Sequence, residues 1–521
     1  MSVDCRVVAL LAMTKSRLPL IIRPAMNLNM GEQSRQLGNS RLWFWGLLTL
    51  AIALRIAAFD PYATHHADET IQYLEQAHRM VFGYGVVPWE FRYFIRSWLI
   101  PLMMVPPMAL GEAIDPGGTL YLILPRAMVA LINLSPVVAA WFIGARQSRQ
   151  HAIVAMAVMA VWVECVYFSV HILSESLATS LFLAAAALLH DKAKFRAIVA
   201  AGFLMGLAGL MRFQFAPAIA IYAAMVAGRD RRLWKGLLAG GLPVVALGAG
   251  IDMAMGLTPY EWILTNYRMN IGEGRMREIG GVSTSHYLDA VVHFWGWAVP
   301  VIAVFVALAW RRHKALIVMA IVNIAVHQLI GHKEYRYLWL SMQTLLLVAA
   351  LGSVNALHLT IGRRRLDNPD GLKPALWLIG GWAAASLLLA TGSTYRVDWR
   401  QGGAPSRLAA AAMRDPAVCG LGVPRREYTL FGYALLHRRK PIFLIPEQGR
   451  VSLADPANMS TGFNAMLSWA DLPQPKGFPV KTGCRGGPRD RICLYRRPGG
   501  CVVDPVNRPY LYQETLLRFD R

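Results

Sequence analysis

Apolar stretches alternate with short polar ones along most of the chain. The most apolar predict eleven helices that cross a membrane, over residues 42–59, 119–145, 152–170, 176–190, 197–211, 213–227, 236–256, 287–310, 315–330, 337–353 and 374–390. A further stretch, 99–110, contains Pro101, Pro106 and Pro107, and we expect it to lie in or re-enter the outer leaflet. The pattern predicts an α-helical polytopic membrane protein.

Basic residues are concentrated in five runs between the predicted spans, at 146–149, 192–196, 229–235, 311–314 and 363–365. If the N-terminus is cytoplasmic, eleven spans place all five runs in the cytoplasm, as the positive-inside rule requires. The chain is 55% hydrophobic and 16% charged, as expected of a membrane protein. Its net charge of +22 is explained by the basic residues of these cytoplasmic loops. Nucleic acid is therefore not expected as a partner.

The stretch 197–227 is predicted to cross the membrane twice, with Arg212 at the turn. Each helix then has about 15 residues and is about 22 Å long, which is shorter than the roughly 30 Å hydrocarbon core. Such short helices are tolerated if their outer ends open into a hydrated cavity. The alternative, one long tilted helix, would bury Arg212 in the middle of the bilayer and reverse the charge pattern.

This topology divides the chain into three parts. They are a cytoplasmic extension (1–41), a transmembrane domain (42–394) with large outer loops at 60–118 and 257–286, and a small extracytoplasmic domain (395–521) of α/β or irregular structure. The last part holds four cysteines, Cys419, Cys484, Cys493 and Cys501. They predict two disulfides in an oxidising compartment, and the sequence leaves their pairing open.

The first outer loop contains, near its start, two histidines, His65 and His66, and an acidic pair, Asp68 and Glu69. The acidic pair opens a predicted amphipathic helix with an apolar stripe on one side. One interpretation is simple stabilisation of the helix N-terminus by acidic residues. A metal site made by these four side chains is less favoured, because adjacent histidines rarely face one ion. No metal or other cofactor is expected.

A second polar cluster lies at the outer end of a span and contains His332, Lys333 and Arg336. If the segment is helical, His332 and Arg336 share one face, because they are four residues apart. Several cations at one place favour phosphate. The alternative is an interfacial cluster in which Glu334 pairs with Lys333 or Arg336.

Two more outer segments supply candidate residues. Glu175 is the carboxylate that we expect to pair with Arg212. The loop 257–286 contains aromatic and amide side chains suited to sugar stacking and hydroxyl recognition, namely Tyr260, Trp262, Asn266, Tyr267 and Asn270. The alternative for these aromatic residues is an ordinary interfacial belt.

Several motifs resemble those of the glycosyltransferase family 22 mannosyltransferases, which act in N-glycan and GPI-anchor assembly. Residues 66–69 (His-Ala-Asp-Glu) resemble the family's His-Pro-Asp-Glu motif, and 82–85 (Phe-Gly-Tyr-Gly), 89–90 (Trp-Glu) and 95–97 (Ile-Arg-Ser) look like the elements that follow it. Residues 173–176 are similar to its Leu-Ser-Asn-Ser segment, and 331–337 to its His-Lys-Glu-x-Arg-Phe motif. The matches lie in order within residues 42–350. The chain departs from the pattern at Ala67, Pro88 and Glu175.

The resemblance implies a GT-C fold with an active site on the non-cytoplasmic face. It also implies an inverting reaction that uses mannose linked to a polyprenyl phosphate. Such a transfer needs one general base for the acceptor hydroxyl and cations for the departing phosphate. Asp68 is then the base, and Glu69 is either an orienting neighbour or the alternative base.

The remaining roles combine this resemblance with the residue patterns described above. His332, Lys333 and Arg336, together with Arg212, would bind the donor phosphate. The candidate substrate-binding residues are His66, Trp89, Glu90, Arg96, Glu175 and Tyr267. The expected partners are a polyprenyl-phosphate sugar, a lipid-linked or glycan acceptor, and membrane lipids.

Two other functions remain as alternatives. A related GT-C transferase would move aminoarabinose, glucose or arabinose from the same kind of lipid donor. A transporter or flippase for a lipid-linked sugar would carry ionisable residues on both halves of a pore and internal repeats, neither of which the sequence contains. The basic loops and tail cysteines suit a bacterial inner membrane with a periplasmic site, although an endoplasmic reticulum membrane imposes the same physics.

Overall fold

The computed structural model describes residues 30–190, 193–273, 283–361, 372–392, 399, 401–446, 460–487 and 491–518. Most of the predicted cytoplasmic extension, the basic run 363–365 and the boundary expected at residue 395 lie outside the described residues. The chain forms two compact units, residues 1–46 and 47–521. Among the described residues the first unit holds the beginning of one helix, and the candidate active site lies entirely in the second unit.

The described chain is mostly helical. Its α-helices are α1 (Met30–Ala58), α2 (Glu75–Phe82), α3 (Trp89–Arg92), α4 (Leu99–Ile114), α5 (Leu120–Ile132), α6 (Ser135–Ala145), α7 (Arg149–Val161), α8 (Val163–Tyr167), α9 (Ser174–Leu188), α10 (Phe195–Met211), α11 (Ala216–Ala227), α12 (Arg231–Ala254), α13 (Glu261–Tyr267), α14 (His286–Trp295), α15 (Ala298–Gln328), α16 (Trp339–Ile361), α17 (Leu372–Thr391), α18 (Gly403–Arg414), α19 (Tyr433–Leu436) and α20 (Tyr512–Arg518). Two π-helical segments, Asp68–Leu74 and Arg268–Gly272, precede and follow short α-helices of the loops.

Several helices have the length and apolar composition that a membrane crossing needs. Among the described residues these are Ser40–Ala58, Leu120–Ala145, Arg231–Ala254, Tyr335–Thr360 and Leu372–Thr391. Two bent pairs, Arg149–Val161 with Val163–Val170 and His286–Trp295 with Ala298–Gln328, raise the number from five to seven if each pair is one span. Four more apolar helices have 10–17 residues. The number of eleven spans therefore stays a prediction.

Two predicted boundaries between spans are breaks in the helices. Helix α10 ends at Met211, and Arg212 leaves helical geometry with φ −140° and ψ 88°. Helix α15 is interrupted at His313 (φ −117°, ψ 22°), inside the basic run that separates two predicted spans. The expected break at Arg212 is confirmed. The proline-containing stretch forms the 16-residue helix α4, which is longer than predicted and keeps Pro106 and Pro107 in its interior.

Helices α10 and α12 pack closely because small residues line their contact. A Cβ atom at Gly202 would lie 2.2 Å from the carbonyl oxygen of Leu237, and one at Gly240 would lie 1.9 Å from that of Val199. Any larger residue would force the two backbones apart. This contact sets the short distance between α10, which ends at Met211, and α12.

The tail, defined here as the described residues from 401 on, contains a five-stranded sheet. Its strands are β1 (Leu421–Pro424), β2 (Ile442–Ile445), β3 (Ala465–Trp469), β4 (Val480–Arg485) and β5 (Ile492–Arg496), in the order β2-β1-β3-β5-β4. Strand β1 is parallel to β2 and β3, whereas β5 is antiparallel to β3 and β4. The tail is thus an α/β structure. Two disulfides, Cys419–Cys501 and Cys484–Cys493, confirm the predicted number and supply the pairing.

The tail shares one hydrophobic core with the first loop, residues 60–118. Leu74 and Met104 of the loop are buried together with Leu408, Phe431 and Leu435 of the tail. The backbone also joins the two regions, since the amide of Thr64 donates to the carbonyl of Gln401. The sequence did not predict this packing, because the tail carried no motif that pointed to a partner.

Candidate active site

Asp68 lies in the first turn of the π-helix Asp68–Leu74, every residue of which is buried. A π-helical turn is wider than an α-helical one and is rare outside functional sites. The Asp68 side chain is 7% exposed, and its neighbours are cations rather than helix backbone. Simple capping of a helix end therefore does not explain this carboxylate.

Three cationic or ionisable side chains converge on Asp68. Arg336 approaches Oδ2 at 2.9 Å, His66 Nδ1 lies 3.2 Å from Oδ1, and Arg96 lies 3.9 Å from Oδ2. The structure thus brings together Asp68 and Arg336, which are far apart in the sequence. Gln72, one turn along the helix, donates its amide to Asp68 Oδ1 at 2.8 Å.

The pKa of Asp68 is set by two opposing influences. Burial favours the neutral acid and would raise the pKa, but the charges of Arg336, His66 and Arg96 outweigh it and hold the pKa well below its usual range. The carboxylate is therefore ionised at neutral pH. It is also a weak base for as long as these cations remain in place.

Glu69 has a different environment from its neighbour. It is fully buried, and its oxygens accept from the backbone N–H groups of His65 (2.6 Å) and Ile172 (2.9 Å). His171 lies 3.0 Å and Arg126 3.4 Å from the same carboxylate. Although burial opposes ionisation, His171 and Arg126 lower the pKa of Glu69. Of its two predicted roles, this geometry favours orientation of the first loop over proton transfer.

Glu175, the first-turn acid of α9, links two arginines. Its Oε1 lies 3.1 Å from Arg212 and 3.4 Å from Arg336, and the predicted pairing with Arg212 is confirmed. The guanidinium of Arg212 also lies over the ring of Tyr337, 4.5 Å from its centroid. The side chains of Glu175 and both arginines are at most 5% exposed.

The segment with His332 and Lys333 is a turn rather than a helix. The condition under which His332 and Arg336 would share a helical face is therefore not met. Glu334 is extended, at φ −131° and ψ 143°, and a 3₁₀ turn begins only at Tyr335. Glu334 pairs with Arg336 at 2.5 Å and with His332 at 2.7 Å, which confirms one of the two predicted pairs. These side-chain pairs within six residues stabilise the turn.

Lys333 and His66 occupy the edges of this arrangement. The ammonium of Lys333 donates to the carbonyl of Ile330 at 3.0 Å, and the side chain is 8% exposed. His66 lies between Asp68 and Glu334, 3.5 Å from the latter, and its side chain is 33% exposed.

We call Asp68, Glu175, Arg212, Glu334 and Arg336 the ion-pair cluster.

Glu90 joins the cluster through a residue that the sequence analysis missed. Gln72 donates one amide hydrogen to Asp68 and the other to Glu90 Oε1, also at 2.8 Å. Burial raises the pKa of Glu90 to about 7, against the opposing effect of Arg96. The spacing of four residues between Asp68 and Gln72 on a predicted helix would have revealed this neighbour.

Two predicted substrate-binding aromatics lie at the periphery. Trp89 begins the short helix α3 next to Glu90 and is partly buried. Tyr267 is 61% exposed at the end of α13, and the ion-pair cluster does not include it. Helix α13 is nevertheless tied to the first loop, because Asn266 donates to the carbonyl of Ile95 at 3.2 Å.

A small cavity of about 30 Å³ adjoins the cluster and is lined by Arg96, Ser174 and Arg212, among others. Trp262 and Phe213 also border a larger apolar groove, of about 500 Å³, between α10, α11 and α12. The apolar groove and the cavity with the two arginines therefore share part of their lining. Within the described residues, no group of three or more His, Cys, Asp and Glu side chains is arranged to hold a metal ion.

Comparison with known proteins identifies the chain's relatives. The model of the Alg9-like mannosyltransferase family matches residues 44–391, which is more than half of the chain. GPI mannosyltransferase 3 of Drosophila melanogaster is 34% identical over 86 residues, 16% of this chain and 15% of the relative. The protein of the same name from Trypanosoma brucei brucei is 36% identical over 90 residues, 17% and 16% of the two chains. The matched segment thus spans about one sixth of these relatives.

Solved structures support the same assignment at the level of the fold. ArnT from Cupriavidus metallidurans bound to undecaprenyl phosphate has a TM-score of 0.53 and 14% identity, over 89% of this chain and 99% of that chain. Its apo state gives the same TM-score and identity over 91% and 98%. The predicted fold class, a polytopic membrane protein of the GT-C type, is confirmed. The chain belongs to the Alg9-like mannosyltransferase family.

Proposed function

We propose that the protein transfers mannose, with inversion, from a polyprenyl-phosphate donor to a lipid-linked or glycan acceptor on the outer face of the membrane. A bond forms between the acceptor oxygen and the anomeric carbon, and the bond from that carbon to the phosphate oxygen breaks. The phosphate leaves with the electron pair, and the acceptor proton passes to Asp68. No covalent sugar–enzyme intermediate is needed.

One observation carries this proposal: Arg336 lies between Asp68 and Glu175, and Arg212 contacts Glu175 from the other side. Guanidinium groups bind phosphate with two parallel hydrogen bonds. Arg336 NH1 and Asp68 Oδ2 lie 2.9 Å apart without hydrogen-bond alignment, so the guanidinium keeps unused donor capacity. A donor phosphate would displace the carboxylates of Asp68 and Glu175 and bind the two arginines in their place.

This exchange would also activate the base. In the structure the pKa of Asp68 is low because Arg336, His66 and Arg96 offset its burial. A phosphate that engages Arg336 removes the strongest of these charges from Asp68, whose burial then raises its pKa. Asp68 becomes a competent proton acceptor only when the donor is bound. Glu69 stays engaged with backbone N–H groups throughout and holds the loop in place.

A lipid donor fits the surroundings of the cluster. The apolar groove of about 500 Å³ offers a prenyl chain an apolar lining from three helices, and it shares Trp262 and Phe213 with the cavity of Arg96 and Arg212. The structure of ArnT with undecaprenyl phosphate, which has the same fold, supports a polyprenyl phosphate as the carrier. The family supports mannose as the sugar. Basic loops and tail disulfides support a bacterial inner membrane with a periplasmic site.

The test uses the purified full-length protein and polyprenyl-phosphate mannose, glucose, arabinose and aminoarabinose in turn, with a lipid and glycan extract as the acceptor source. Released polyprenyl phosphate is measured. We expect release from the mannose donor. Asp68→Asn should lower turnover about 10³-fold, as loss of a general base does. Its donor affinity should be unchanged or higher, because the carboxylate that competes for Arg336 is gone.

Asp252→Asn is the matched control. Asp252 is 1% exposed and accepts from the backbone N–H of Tyr260 at 2.8 Å, so it is an equally buried aspartate away from the cluster. It should keep the turnover of folded wild-type protein. The proposal fails if no donor releases polyprenyl phosphate. The role of Asp68 fails if Asp68→Asn abolishes donor binding while turnover per bound donor is unchanged.

A further inference from the structure

Glu75 is a buried carboxylate that the proposed reaction does not use. It is the first residue of α2 and directly follows the π-helix that carries Asp68. Its side chain is fully buried, and each oxygen accepts from a backbone N–H group at 2.8 Å. Oε1 accepts from Val86 of the first loop, and Oε2 accepts from Ala434 of the tail.

Two glycines lie so close to this carboxylate that a side chain at either position would collide with it. A Cβ atom at Gly432 of the tail would lie 2.9 Å from Glu75 Oε2, and one at Gly85 of the first loop would lie 2.8 Å from Oε1. Gly85 also has φ +146°, which a residue with a side chain rarely adopts. The backbone on both sides therefore approaches Glu75 as closely as the atoms allow.

The tail holds the residue after Val86 as well. Gln513 of α20 accepts from the amide of Val87 at 2.8 Å and donates to its carbonyl at 3.4 Å. The chain then runs through Pro88 into Trp89 and Glu90. Glu75 and Gln513 thus fix the start of the segment that carries Glu90, while Glu75 also fixes the helix that carries Asp68.

The same junction contains an inserted histidine of the tail. His437 stacks on Tyr121 with ring centroids 3.9 Å apart, and its Nε2 lies 3.2 Å from Glu112. His78, one turn after Glu75 on α2, lies 3.3 Å from His437 Nδ1. Through these contacts the tail packs against the buried side of α2, next to the shared hydrophobic core.

We propose that Glu75 is a positioning residue through which the tail holds Asp68 and Glu90 at the separation that Gln72 bridges. Gln72 can donate to both carboxylates only if the π-helix and the segment after Val86 keep their relative position. The clamp of Glu75 on Val86 and Ala434 supplies that constraint. This inference rests on the proposed function, because it assigns the constraint to the geometry of the general base.

The variant Glu75→Gln tests the inference, because it keeps the size of the side chain but turns an amide NH₂ toward a backbone N–H. Turnover should fall about 10-fold or more, since small displacements of a catalytic group are costly. Donor affinity should stay within about twofold, because Arg212 and Arg336 lie on other elements. Gln513→Ala should change turnover in the same direction by a smaller factor.

Arg407→Ala is the control. Arg407 pairs with Asp60 at 2.6 Å and also joins the tail to the first loop, at a residue that lies outside α2. Thermal unfolding is measured for both variants. The inference holds if Glu75→Gln lowers turnover while Arg407→Ala, at a similar loss of stability, does not. It is overturned if both lose activity in proportion to stability, or if Glu75→Gln keeps wild-type turnover.

Hydrogen exchange gives a readout that does not depend on activity. In Glu75→Gln the amides of Val86, Ala434 and the π-helix Asp68–Leu74 should exchange faster, whereas α16 should be unaffected. If the wild-type protein transfers no sugar, the proposed function fails, and faster exchange at these amides still shows the clamp. Unchanged exchange there overturns the inference whatever the activity.

Discussion

Around Asp68 the carboxylates face guanidinium groups of side chains, whereas around Glu75 the carboxylate faces backbone N–H groups. Arg336 contacts Asp68 and Glu175, and Arg212 contacts Glu175. Glu75, by contrast, accepts from two main-chain amides that belong to the first loop and the tail. Asp68 and Glu75 are both buried, and they lie on the same continuous helical segment.

The difference determines what a ligand can change. A guanidinium on a long side chain can exchange one anion for another, so an incoming phosphate can compete for it. A backbone N–H can change partners only if the fold moves, because its position is set by the main chain. The ion-pair cluster is therefore suited to binding and release, and the junction at Glu75 is suited to holding geometry.

The largest effect is expected for Arg336→Lys. Lysine presents one compact charge and cannot make the paired hydrogen bonds that a guanidinium makes, so donor affinity should fall about 100-fold. Binding of polyprenyl phosphate to the purified protein measures this effect. Arg126→Lys is the matched control, because Arg126 contacts Glu69 at 3.4 Å and should affect stability rather than donor affinity. Equal losses of affinity in the two variants would show that Arg336 has no specific role in binding the donor phosphate.

Glu69→Gln should destabilise the protein more than it impairs the chemistry. Glu69 is fully buried and holds His65, Ile172 and Arg126, so an uncharged side chain should cost about 3–5 kcal/mol of folding free energy. The remaining folded protein should keep turnover within about threefold of the wild type, because Asp68 is intact. Unfolding transitions and activity per folded molecule are measured together. Full stability with lost turnover would instead make Glu69 the base.

The sequence predicted the ion-pair cluster well because its members are charged residues in motifs. Asp68, Arg336 and Glu175 stand out by type, and burial of such residues in an apolar chain is itself a functional indication. Local geometry was harder to predict. His332 and Arg336 do not share a helical face, because Glu334 pairs with both of them in an extended turn.

The junction at Glu75 could not be predicted in the same way. Its partners are main-chain amides of Val86 and Ala434, and no residue type marks a backbone donor. The tail belongs to no recognised motif, so its packing against the first loop depends on contacts between residues far apart in the chain. Gln72 was within reach of sequence reasoning, because it follows Asp68 by one helical turn.

The smallest expected effect is a pH dependence of turnover. It tests whether the ion-pair cluster and the junction at Glu75 act separately. Burial raises the pKa of Glu90 to about 7, and above that pH its charge lies near Arg96 and adds to the negative field on Asp68. A negative neighbour makes Asp68 a stronger base, so turnover should rise about threefold to tenfold as the pH increases through 7.

Glu90→Gln should remove this step, since its side chain does not titrate, and should leave donor affinity unchanged. Turnover of both proteins is measured from about pH 5.5 to about pH 8.5 at saturating donor. Burial also raises the pKa of Glu75 to about 7, and protonation there would loosen its hold on Val86 or Ala434. A step that persists in Glu90→Gln and disappears in Glu75→Gln would therefore place the titration at the junction, and the backbone-held region would then control the cluster rather than only support it.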